Sequence, residues 1–259
     1  MGYAEFELDI PGVMRTELPK YFDALSASPL TLENLNRMIP NQAQGAYFLF
    51  LENSLVYIGK TDAEVGFRSR LLRHLNNVRH RHHLDPEQVR FKAVRIFVFS
   101  NFDLETMLID EYAKREGGRP VWNYSGFGSN DPGHRRESQD PAKFDLQYSV
   151  DIDREVAFLP AGEHPLMSAL LALKNELPYL LRYDTGEEGT WRTGHVDMID
   201  KMIVVPQRVL TTRLVLTLIL DSLPEGWQVS ALPGRVILYK EDTTYGSLLE
   251  VLRKAATAR

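Results

Sequence analysis

Residues 45–74 read GAYFLFLENSLVYIGKTDAEVGFRSRLLRH, from Gly45 to His74. Residues 46–51 are apolar and aromatic, Glu52-Asn53-Ser54 is a short polar turn, and residues 55–58 are again rich in β-formers. Two paired strands are therefore predicted. On such a pair Tyr47 and Tyr57 can point to one face. Gly59 is expected to allow a tight exit from the second strand. Thr61-Asp62 opens a helix over about residues 63–78, on which Arg70 and His74 are i and i+4 and so neighbours on one surface.

Working outward, residues 90–99 alternate charged and apolar side chains and read as a further strand. Asn101 or Asp103 can cap a helix over 104–115, which Gly117-Gly118 ends. Residues 120–133 form a loop rich in Gly and Pro. Upstream, an extended start ends at Pro11, and helices are expected near 16–25 and 30–38, the second capped by Thr31. Beyond Asp151 the pattern predicts a strand at 155–159 and a helix at 165–181. Further helices are expected at 195–204, 207–223 and 245–256, with a hairpin of 227–232 and 235–240 about Pro233-Gly234. The expected class is α+β: a small mixed sheet flanked by helices, then a mainly helical C-terminal domain with a β-hairpin. The expected division is an N-terminal arm (1–40), a central domain (41–155) and an accessory or dimerisation domain (156–259).

The chain has 259 residues, 44% of them hydrophobic and 25% charged, which suits a globular protein and excludes a disordered one. With no cysteine, disulfides, thiolate metal sites and a cysteine nucleophile are excluded. The start has neither a basic nor an apolar signal region. The most apolar stretch, 203–220, is interrupted by Pro206, Arg208 and Arg213, so no membrane span is expected and the cytoplasm is the expected location. The net charge of −5 argues against a general polyanion binder, but charge is uneven. Residues 65–84 hold Arg68, Arg70, Arg73, Arg79 and Arg81, four of the seven histidines and no acid. Such a window suits contact with phosphates. His80, His82 and His83 lack further ligands nearby, which disfavours a metal there.

Gly45-Ala46-Tyr47, then nine residues, then Tyr57-Ile58-Gly59, then Arg70-Leu71-Leu72-Arg73-His74, resemble the GIY-YIG nuclease superfamily, with Ala46 in place of the usual Ile. The resemblance extends to Glu105 on the following helix and to Asn123 in Pro120-Val121-Trp122-Asn123. Residues 126–133, GFGSNDPG, are similar to a loop in a branch of GIY-YIG type II restriction endonucleases. It covers about residues 42–137.

The resemblance implies a site-specific endonuclease for double-stranded DNA, dependent on Mg²⁺ (with Mn²⁺ as a substitute) and paired with a DNA methyltransferase in a restriction-modification system. Cleavage of a palindrome implies a homodimer. Its implied site residues are Tyr47, Tyr57, Arg70, His74, Glu105 and Asn123, with Glu105 as the metal ligand. Chemistry fits these types. Phosphodiester hydrolysis gathers negative charge on phosphate, which a guanidinium fork and a cation stabilise. Tyr47 acts as or near the general base with His74 tuning it, Tyr57 positions water or phosphate, and Asn123 holds the site together. Whether Tyr47 or a metal-held hydroxide takes the proton stays open in the sequence. DNA contacts are expected from Lys60, Arg68, Arg73, Arg79 and Arg81, and from the loop at 126–136, which holds Phe127, Asn130, Arg135 and Arg136.

Each residue also has a plainer reading: strand aromatics for the tyrosines, a solvated helix face for Arg70 and His74, and a dipole-favoured first-turn acid for Glu105. Two rival functions carry the same motifs. One is a repair or mobile-element nuclease. The other is a non-catalytic DNA-binding module.

Overall fold

The 45–74 stretch folds into a hairpin and a helix because two apolar runs rich in β-formers flank a polar turn. In the computed structural model, residues 2, 9–40, 42–61, 64–97, 103–127 and 140–254 are described. The chain divides into two compact units, residues 1–76 with 85–127 and residues 77–84 with 128–259. The division is not the expected one, which set off 1–40 as an arm and placed the later boundary at 155. The helix and strand of 9–40 join the first unit's sheet, while Val150 and Ile152 belong to the second unit's core.

In chain order the first unit has α1 (Ile10–Ala24), β1 (Ser28–Pro29), α2 (Leu32–Met38), β2 (Gly45–Leu51), β3 (Ser54–Thr61), α3 (Gly66–Arg79), β4 (Val89–Arg95) and α4 (Leu104–Glu116). The last turn of α3 belongs to the second unit. The caps are chemical. The Thr31 side chain accepts from Asn34 N–H, Asp103 accepts from Thr106 N–H, and Gly117 ends α4 in the left-handed conformation. The sheet runs β1-β4-β2-β3 and every pair is antiparallel, so the sheet expected to be mixed is not. One face of the hairpin, Ala46, Phe48 and Ile58, packs with Phe22 of α1 and with Leu108, Ile109 and Tyr112 of α4. Phe22 stacks on Phe48 with ring centres 3.8 Å apart. Burying one such ring contributes about 1.5–3 kcal/mol. The other face carries Tyr47, Leu49, Tyr57 and Gly59, since Tyr47 lies opposite Gly59 and Leu49 opposite Tyr57. Helix α3 sets Phe67 and His74 against this face.

The second unit contains α5 (Lys143–Gln147), β5 (Glu155–Val156), β6 (Gly162–Pro165), α6 (Leu166–Glu176), β7 (Leu180–Tyr183), β8 (Met202–Val205), β9 (Leu210–Thr211), α7 (Thr212–Ser222), β10 (Trp227–Leu232), β11 (Arg235–Lys240) and β12 (Glu250–Arg253). The α+β class holds and the 227–240 hairpin forms, but the unit is not mainly helical. Four strands make a sheet of order β12-β10-β11-β7. The helix expected through residue 181 stops before Pro178, and Leu180–Tyr183 becomes a strand parallel to β11. Residues 202–205 alternate exposed and buried and pair with β6, where a helix was expected. Residues 250–253 take the edge of β10 in place of a terminal helix. Each of these segments is only four residues long, so pairing and not periodicity decides its state. Among the described residues no helix is long and apolar enough to cross a membrane.

Candidate active site

Strand β3 is the edge of its sheet, and the groups on its free side organise the site. Three successive outward positions are occupied. Trp122 N–H donates to Val56 O at 2.7 Å. The Asn123 amide accepts from Ile58 N–H at 2.9 Å and donates to Ile58 O at 2.8 Å, as a neighbouring strand would. The Glu105 carboxylate accepts from Lys60 N–H. The unpaired edge is thereby satisfied by the 120–127 turn and by the first turn of α4. This brings Asn123 and Glu105 beside the strand that carries Tyr57 and Gly59.

On the inner face, Tyr47 Oη lies 2.8 Å from His74 Nε2, and both side chains are buried. The rings of Tyr47 and Tyr57 are 6.1 Å apart, and Tyr57 meets His74 edge-on at 5.2 Å. Gly59 sits in regular strand, so its role is space and not conformational freedom. A β-carbon there would lie 2.4 Å from Tyr47 Oη and 2.5 Å from Tyr47 Cζ. The tyrosine ring occupies the room a side chain would take.

Charge is distributed unevenly about these rings. Burial, with the charges of Arg70 and Arg73 acting in the same direction, lowers the His74 pKa to about 3, so the imidazole is neutral. Burial also raises the Tyr47 phenol well above its ordinary value, with Tyr57 adding to the rise and Arg70 opposing it. Tyr47 is thus protonated at neutral pH and serves the resting site as a hydrogen-bonding group. Burial works against the Arg70 charge, but Tyr47, Tyr57 and Glu105 outweigh it and the guanidinium stays charged. Its Nε is buried and has no hydrogen-bond partner among the described residues. Burial raises the Glu105 carboxyl, against the Lys60 N–H bond and the charges of Lys60 and Arg70.

A divalent cation fits this donor set in one respect: Glu105 is a half-buried carboxylate that its neighbours do not fully neutralise. Among the described residues no group of three His, Asp or Glu side chains could cage an ion alone. An ion held by Glu105 would complete its shell with phosphate and water oxygens, as Mg²⁺ commonly does.

The six expected site residues therefore come together, whereas the expected DNA contacts divide. Arg73 and Arg79 are exposed, and Lys60 pairs with Asp103 at 3.0 Å on the surface. Arg68 is occupied otherwise: its guanidinium donates to Ile39 O at 2.7 Å and Asn36 O at 3.2 Å, satisfying carbonyls at the end of α2. Arg81 is 5% exposed and bonds Asp145, Asn77 and Tyr148 O, so it is a core ion pair and not a phosphate contact. Asn130, Arg135 and Arg136 lie outside the described residues. Phe127, which the sequence placed in a DNA-contacting loop, is buried and stacks on His74 at 4.8 Å with planes 16° apart. Trp122 packs on Phe127 at 4.7 Å. The aromatic spacing of 122–127 was the visible signal for this cover, but the glycines around it read as loop.

A scan of the chain against protein-family models finds no match, and a search of curated proteins finds none.

Proposed function

We propose that this chain is a Mg²⁺-dependent endonuclease that hydrolyses phosphodiester bonds at specific sites in double-stranded DNA, a type II restriction enzyme on a GIY-YIG-like domain. The observation that carries the reading is the convergence of Tyr47, Tyr57, Arg70, His74 and Glu105 about one point, with the buried Arg70 Nε left unpaired. An orphaned buried donor is costly, and a phosphate oxygen is the acceptor its geometry suits. Arg70 binds the phosphate and faces the charge that grows on it. Neutral His74 holds the Tyr47 hydroxyl, and Tyr57 orients the water or phosphate beside it. Asn123 keeps β3 in place, and Glu105 would hold the cation. When bound, that cation supplies Lewis-acid stabilisation of phosphate charge. Cutting both strands of a palindrome takes two such sites, so the working form is a homodimer, and a DNA methyltransferase protects the host's copies of the recognition sequence.

Digestion of plasmid DNA with Mg²⁺ tests the reading. A discrete ladder of fragments is expected from the wild type. Arg70→Ala and Glu105→Ala should each lose cleavage by a hundredfold or more while still retarding DNA on a gel. Uncut plasmid, a featureless smear, or wild-type cutting by Glu105→Ala would refute it.

A further inference from the structure

The turn that closes the site carries one residue whose left-handed backbone is not compensated by burial. Tyr124 has a left-handed backbone, with φ of 61°. The other non-glycine residues of that kind among the described residues are Glu52, His83 and Asp200. Tyr124 has the bulkiest side chain in this set, and a bulky side chain is disfavoured there. The residue is also 72% exposed. Burial, the usual compensation for holding an aromatic residue in strain, is missing.

The mount, in contrast, is rigid. Trp122 N–H is bonded to Val56 O, Asn123 N–H to Pro120 O, and the Ser125 hydroxyl to Trp122 O at 2.7 Å. The Asn123 amide ties the turn to Ile58, next in sequence to Tyr57. Over the exposed ring lies the Arg119 guanidinium, its carbon 5.4 Å from the ring centre. Arg119 also meets Asp110 at 3.3 Å, but both side chains are half or more exposed, so this pair is weak and open to exchange with another anion. The result is a flat apolar face beside a cation, held fixed at the rim of the candidate site. Nucleotides present the matching chemistry, a flat base or sugar joined to a phosphate.

We propose that Tyr124 and Arg119 form a contact for the DNA substrate, the ring stacking on a base or deoxyribose and the guanidinium meeting the adjoining phosphate. The proposal rests on the endonuclease reading above, and it explains why strain is kept where Asn or Gly would sit more easily. Tyr124 orients and holds DNA and takes no part in the bond-breaking step.

The test uses the full chain with Tyr124→Asn, Tyr124→Phe and Arg119→Gln. Binding of a labelled mixed-sequence duplex is followed by fluorescence anisotropy, and thermal midpoints are measured alongside. Tyr124→Asn should weaken binding roughly tenfold, the size of one lost stacking contact, with an unchanged or higher thermal midpoint. Tyr124→Phe should bind as the wild type does, and Arg119→Gln should flatten the salt dependence of binding. Unaltered binding by Tyr124→Asn overturns the proposal, as does a lower midpoint, which would make the ring a structural element. A wild type that cuts DNA beside an indifferent Tyr124→Asn removes this contact alone. A wild type that neither binds nor cuts removes the nuclease reading and the contact with it.

Discussion

Gly59→Ala puts the geometry of the site to its most direct test. The new β-carbon would stand 2.4 Å from Tyr47 Oη, 2.5 Å from Tyr47 Cζ and 2.9 Å from Tyr57 Cε1. Ordinary carbon contacts are about 3.5–4.0 Å, so the overlap is about 1 Å. The backbone cannot yield easily, because Gly59 is paired across β2 with Tyr47 itself. The ring cannot yield either without leaving His74 and Phe67, which face it at 5.6 Å and 6.3 Å. Overpacking of this kind costs about 1–3 kcal/mol. Loss of the Tyr47–His74 hydrogen bond adds about 1 kcal/mol. The sum, about 2–4 kcal/mol, is a large part of a domain's stability. Hydrogen exchange of β2 and β3 amides across a urea series reads this unit separately from the other. The midpoint should fall by about 1–2 M. A double-mutant cycle supplies the control: in a Tyr47→Ala background the ring is gone, and adding Gly59→Ala should cost less than about 1 kcal/mol. Equal costs in both backgrounds, or a cost below about 0.5 kcal/mol in the wild type, would refute the packing argument.

Two more predictions follow from buried charge. The folded-state pKa of His74 lies at about 3, below the ordinary value of 6.5, so the unfolded chain binds the proton more tightly. Its contribution is fully present above about pH 6.5 and is lost as pH falls toward 3, at about 1.4 kcal/mol per pH unit between those limits. Urea midpoints measured from pH 7 to 4 should show that slope in the wild type and a shallower one in His74→Gln. For Arg81, replacement by Met leaves the Asp145 carboxylate, 2.7 Å away, without its partner in the second unit's interior. Unfolding by urea should show a loss of about 3–5 kcal/mol, against less than about 0.5 kcal/mol for the exposed Arg79→Ala.

The first unit was largely legible before any coordinates. The β-forming runs at residues 46–51 and 55–58, the Glu52-Asn53-Ser54 turn, and the caps Thr31 and Asp103 each act on neighbours in the chain. Their elements appear within a few residues of expectation. Strand and helix periods made two pairs readable, Tyr47 with Tyr57 and Arg70 with His74, while their meeting in one site was what the resemblance implied. The second unit was less legible. Residues 202–205 and 250–253 are too short for period alone to separate helix from strand, and an available partner strand decided them.

Basic residues show the same division most clearly. Local charge marks residues 65–84 as one cationic window, and no neighbour in the chain distinguishes its five arginines. Packing sorts them: Arg68 caps α2, Arg81 enters a core beside Asp145, and Arg70 keeps a buried donor unpaired. Likewise a glycine at 59 announces freedom to a reader of the chain, while the fold uses it as room for a phenol ring brought from the opposite strand. Residue type and spacing carry short-range chemistry. Burial and the identity of long-range partners arise only once distant segments meet, and those two quantities set which charges are free and which protons are held.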